Sequence, residues 1–137
     1  MLEEYALPLL LTQKLGEIRG KTRFQKLLYI VQKRSQERKL QLSVFSYEPY
    51  LYGPFSAELA RTIDVLVSRD LLRRQFAKTD AGYTVSIFRL TPQGEKFLEE
   101  ASVTKIIDKK VLSVLDEVAR EEGDKPLVDL IATAKAL

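Results

Sequence analysis

The sequence predicts an α+β, mostly helical fold: a winged helix-turn-helix with a two-stranded wing and extra N- and C-terminal helices. Three observations carry that prediction. An amphipathic helix over residues 56–69 starts at a capping Ser56 and keeps Leu59, Ile63, Leu66 and Val67 on one face. Two segments of strand composition follow, 71–78 and 83–90, joined at 79–82, where Gly82 can take the positive φ of a tight hairpin. Thr91-Pro92 then opens a further helix, threonine as cap and proline at the first helical position.

The remaining elements follow from periodicity. Over residues 5–18, Leu7, Leu10, Leu11, Leu15 and Ile18 recur at helical spacing, with Pro8 acceptable only in a first turn. Thr22 and Gln25 have capping-box spacing and introduce a helix whose stripe is Phe24, Leu27, Leu28 and Val31, with Lys26 and Lys33 directed away from it. Regular spacing is lost from 37 to 55, where Pro49, Gly53 and Pro54 imply extended segments and turns. Alternation changes phase near Ile87-Phe88, which implies a bulge or a strong twist. A helix over about 104–122 carries Ile107, Val111, Val114, Leu115 and Val118 and ends at Gly123; a last helix runs from Asp124-Lys125-Pro126 to Leu137. Its 137 residues suit one domain spanning 1–137, with a core over 22–98 and the helices of 104–137 available for dimerisation.

Composition narrows the function classes. No apolar run is long enough to span a bilayer, and the acidic start Met1-Leu2-Glu3-Glu4 is unlike a secretory signal, so a cytoplasmic location is expected. Cysteine and histidine are both absent, which removes thiolate chemistry, the commonest zinc ligands and the commonest general base. The span from Gly16 to Thr22 is one residue short of a phosphate-loop pattern and follows a helix rather than a strand, so it reads as a helix-linker-helix join. Neighbouring carboxylates such as Glu99-Glu100 diverge on a helix and cannot converge on one atom. No catalytic residue, metal site or cofactor is expected, and the chain does not read as an enzyme.

Charge is uneven. Residues 1–94 hold 15 Lys and Arg against 9 Asp and Glu, net +6, whereas residues 95–137 hold 7 against 10, net −3. An anionic partner is therefore expected at the basic part, where phosphate neutralisation would drive binding. Five of the twelve aromatics, Phe45, Tyr47, Tyr50, Tyr52 and Phe55, fall just before the Ser56 helix. Phe45 and Phe55 are expected to close the core, leaving the three tyrosines for stacking or docking.

Three stretches carry a family resemblance. Residues 22–31, TRFQKLLYIV, and 52–56, YGPFS, resemble the Panacea domain, an antitoxin-associated helical module. Residues 89–98, RLTPQGEKFL, resemble the segment after the wing in winged-helix regulators of the PadR and MarR kinds. The regulator resemblance implies operator binding as a dimer, with the Ser56 helix in the major groove. The Panacea resemblance implies binding of a toxin or adaptor protein without essential contact with DNA.

The resulting expectation is a transcriptional regulator that binds double-stranded DNA as a homodimer assembled through the terminal helices. Arg61, Val65, Ser68 and Arg69 would face base edges, while Lys26, Arg73, Arg74 and Lys78 would hold phosphates. The alternative is a protein-interaction module of antitoxin or adaptor type that docks through Tyr47, Tyr50, Tyr52, Gly53 and Pro54. No membrane partner is expected.

Overall fold

Seven helices and a small antiparallel sheet alternate along the chain in a computed structural model that describes residues 2–137, the side chain of Thr104 excepted. Met1, the first residue of the acidic start, lies outside the described residues. Helix α1 (Leu2–Leu15) leads into strand β1 (Ile18–Arg19) and helix α2 (Lys21–Glu37). After an irregular connector come α3 (Ala57–Ser68), β2 (Leu72–Lys78), β3 (Thr84–Leu90) and α4 (Pro92–Glu100). The chain closes with α5 (Val103–Ile106), α6 (Lys109–Glu122) and α7 (Leu127–Lys135). The fold is α+β and mostly helical.

The caps around the hairpin are those expected. Ser56 Oγ accepts from the Leu59 amide at 3.1 Å, and Thr91 Oγ1 accepts from the Gly94 amide at 3.0 Å, each satisfying an amide at a helix start. Gly82 takes φ 86° at the turn, where its amide donates to Thr79 O.

The sheet departs from the two-stranded expectation. Its order is β1-β3-β2, with Ile18 opposite Phe88 and Arg19 opposite Ile87. The join from Gly16 to Thr22 is therefore not a plain linker: Gly16 and Gly20, at φ 81° and 99°, turn the chain into and out of a two-residue strand. The predicted bulge is also absent from the ladder, which pairs β2 and β3 without interruption from Leu72↔Leu90 to Lys78↔Thr84. Ser86, Ile87 and Phe88 are buried in succession because β3 is the central strand, with Phe88 edge-on to Phe24 of α2 and α1 against β3.

Other local readings change for packing reasons. Pro8 lies inside α1 rather than in its opening turn, and Thr12 Oγ1 donates to the Pro8 carbonyl at 2.8 Å. Ala6 to Thr12 are all buried, so α1 is enclosed rather than one-sided. Helix α2 begins after Gly20 with no side-chain cap; Gln25, the expected partner of Thr22, turns inward and exchanges two hydrogen bonds with the Ser56 backbone, both 2.9 Å. The helix expected over 104–122 is broken before Lys109, where Asp108 accepts from the Lys110 amide at 2.7 Å. Gly123 is helical at φ −57°, not left-handed: a Cβ there would come within 2.4 Å of Ala119 O and 2.5 Å of Leu15. The Ala119 carbonyl, which cannot yield as the Leu15 side chain can, selects glycine at that corner.

Both terminal helices pack on α2 of the same chain. Val111, Val114, Leu115 and Val118 of α6 are buried there, so the broad apolar face of this helix is covered from within. Arg34 of α2 and Arg38 just after it bind Glu117, Glu121 and Glu122 of α6 over that contact, at 2.7–3.2 Å.

Candidate docking pocket and the basic hairpin

The connector between α2 and α3 has little ladder to satisfy its backbone, and side chains of α2 do so instead. Gln32 donates to Phe45 O at 2.8 Å and accepts from the Val44 and Phe45 amides at 3.2 and 3.1 Å. Gln36 donates to Leu42 O at 2.9 Å. Glu48 and Phe55 exchange a pair of backbone bonds, 2.8 and 2.9 Å, which closes the intervening residues into a loop. At its tip Gly53, φ 93°, donates to Tyr50 O.

That loop, the outer side of α2 and Lys135 of α7 enclose a cavity of about 460 Å³. Tyr47, Tyr50, Gly53 and Pro54 line it, four of the five residues expected at a docking edge; Tyr52 stands beside it on the loop tip. Tyr50, Leu51 and Tyr52 are 63%, 77% and 59% exposed, an apolar projection at the rim. Tyr47 is set differently: its ring lies edge-on to Tyr29 at 4.9 Å, and its hydroxyl is buried with no hydrogen-bond partner. Burial pushes that phenol well above its ordinary range, with the Tyr29 hydroxyl adding to the effect.

Electrostatically the cavity is basic. Lys33 and Lys135 line it, Lys33 lying 5.8 Å from the Tyr29 ring centre, and Glu48 is the one carboxylate among the lining residues. Gly53 sits between the stems of Lys135 and Lys26, where a Cβ would meet each at 3.3 Å. Lys26 departs from the expected phosphate-binding role, because it is only 2% exposed and its ammonium donates to Pro54 O at 2.7 Å. Burial lowers its pKa, and the nearby positive charge of Lys135 lowers it further. Lys26 is a strut of the loop.

The other expected DNA contacts do not form one surface. Arg61, Ser68 and Arg69 are exposed on α3 and Val65 is half-buried, but Glu58 and Asp64 share that side, leaving it close to neutral. The Arg69 guanidinium lies 5.7 Å from the Tyr5 ring centre. Arg73 and Arg74 project from opposite faces of β2, as neighbours on a strand must. Arg74 donates to Ser86 Oγ at 3.1 Å, lies 3.9 Å from Asp64, and covers the rings of Phe76 and Phe88. Lys78 is exposed on the same face as Arg74. Arg89 is held by Glu17 at 2.7 Å and by Gln75, and Arg23 donates to the carbonyls of Gly123 and Lys125.

Sequence reasoning missed Tyr29, Gln32 and Lys135 as pocket residues. Tyr29 and Gln32 sit in a helix whose apolar stripe drew attention elsewhere, and Lys135 is brought in only by the packing of α7 on α2.

No protein-family model matches the chain. It is 31% identical over 104 residues to the uncharacterized protein YwgA of Bacillus subtilis, a match covering 75% of this chain and 58% of that protein. The chain thus spans less than two thirds of the length of that relative. Among the described residues no group of three or more His, Cys, Asp or Glu could hold a metal ion, and no helix is long and apolar enough to cross a membrane.

Proposed function

We propose that the protein is an interaction module that receives an acidic, extended segment of a partner protein in the tyrosine-lined pocket. The observation that carries this reading is a cavity lined by Tyr47, Tyr50, Lys33 and Lys135, with Leu51 and Tyr52 exposed next to Tyr50 on the loop and neither lysine held in an ion pair among the described residues. Exposed tyrosines supply contact area at low entropic cost, and unpaired lysines select the sign of the partner. This is the adaptor-type reading of the sequence, with the occupant's charge now specified.

Panning a displayed library of short random peptides on the full chain tests it. Enriched peptides should carry Asp or Glu beside apolar residues, and Lys33→Glu with Lys135→Glu should weaken a synthetic peptide about tenfold or more. Enrichment without acidic residues, or affinity indifferent to those substitutions, overturns the reading.

A second reading has one observation in its favour. The order α1-β1-α2-α3-β2-β3, with β1 paired to β3, supports a winged-helix reading, and a cytoplasmic, dimeric regulator binding duplex DNA through α3 would use such a scaffold. Titration of random-sequence duplex against salt separates the two. Steep loss of affinity with salt, abolished by Arg61→Glu and Arg73→Glu, would favour the regulator.

A further inference from the structure

A second cleft, of about 440 Å³, lies between the start of α2 and the hairpin. Arg19, Lys21, Arg23 and Arg74 are among its lining residues, and no carboxylate is. Phe76, in the middle of β2, also lines it and is 65% exposed. The strand ladder places Arg74, Phe76 and Lys78 on one face, opposite Phe88, Ser86 and Thr84 of β3. Along that face the order is thus Arg74, Phe76, Lys78; the Arg74 guanidinium lies over the Phe76 ring, 4.9 Å from its centre, and the residue keeps most of its surface in solvent.

We propose that this cleft binds single-stranded nucleic acid, one base stacking on Phe76 while the flanking phosphates meet Lys21, Arg19 and Arg74. Exposed aromatic rings alone are ordinary on protein surfaces. The combination of an exposed ring with Arg19, Lys21 and Arg74 around one recess, none of whose lining residues is a carboxylate, is the chemistry of a stacking platform. A duplex buries the faces of its bases and offers nothing to such a ring. Carboxylates near these cations are Glu17, 3.5 Å from Arg19, Asp64, 3.9 Å from Arg74, and Asp124, whose charge acts on Arg23; the first two contacts are long and solvent-exposed at the acid or the base, so phosphate can displace them. Arg23 is committed to Gly123 O and Lys125 O and contributes field rather than a free donor.

Fluorescence anisotropy of the full chain with labelled oligothymidylate, the matching duplex and a mononucleotide tests the inference at two salt concentrations. The single strand should bind best and lose affinity with salt. Phe76→Leu should weaken it about tenfold, Phe76→Tyr should restore it, and Arg19→Glu with Lys21→Glu should weaken binding and flatten its salt dependence. Tyr50→Ala, in the other pocket, should leave it unchanged. Absence of single-strand binding at low salt overturns the proposal. So does a duplex that binds at least as tightly, a mononucleotide that binds as well as the oligomer, or indifference to Phe76→Leu. Circular dichroism melting of each variant shows whether it has folded, and the Arg19→Glu, Lys21→Glu variant decides the case if Phe76→Leu has not: unchanged single-strand binding in it overturns the proposal.

Discussion

The connector and the hairpin solve the same problem, placing an exposed chain segment against α2, by opposite means. In the hairpin the backbone is satisfied by the β2-β3 ladder, so side chains alternate freely between two faces and Arg73 separates from Arg74. In the connector the backbone has only the Glu48-Phe55 bridge, and Gln25, Lys26, Gln32 and Gln36 of α2 are consumed in holding it or the residues beside it. A polar side chain is therefore a poor indicator of a binding surface wherever the neighbouring backbone lacks a ladder. Lys26 shows the consequence: a cation on paper and a carbonyl's partner in the fold.

The largest perturbation should not distinguish the two regions. Phe24 is fully buried on α2, edge-on to Phe88 at 5.4 Å, so Phe24→Ala should cost about 3–5 kcal/mol in urea denaturation. A cost under ~1 kcal/mol would show that the hairpin and the connector do not share this support.

The next effect separates them. Gln32→Leu removes the partner of Phe45 O and of two amides, so a loss of about 2–3 kcal/mol is expected. Amide exchange should accelerate at Val44 and Phe45 while the β2-β3 ladder stays protected; equal acceleration in both would break the contrast.

On the hairpin side, Thr91→Ala should cost about 1 kcal/mol, because Thr91 caps α4 and donates to Asp70 O at 2.5 Å. Thermal unfolding measures this directly, and an unchanged midpoint would remove the cap from the account.

The smallest effect concerns neither region and depends on pH. The Arg38 hydrogen bond holds the Glu117 carboxyl below its ordinary value of 4.5, against a smaller opposing contribution from burial. The stabilisation is then complete above that value and disappears as pH falls through the lowered one. The difference in urea midpoint between the protein and Glu117→Gln should be visible at about pH 6 and shrink at about pH 3. A difference that grows on acidification contradicts this sign.

Much of the architecture could be read before folding was considered. Ser56, Thr91 and Gly82 act through bonds that close within a few residues, and the apolar spacing of α2, α3 and α6 needs only helical geometry. The separation of Arg73 from Arg74 also follows from strand alternation alone. Strand β1 was not legible, because two residues carry no periodicity and Ile18 fits a helical stripe equally well.

Local chemistry thus decided which segments became helix, strand or turn, since caps, periodicity and glycine dihedrals act over one or two turns of chain. Distant contacts decided what the polar residues do. Whether a lysine meets solvent or the Pro54 carbonyl, and whether Lys135 and Tyr29 line one pocket, depends on how α7 and the connector close over α2, and burial sets that choice through contacts between residues far apart along the chain.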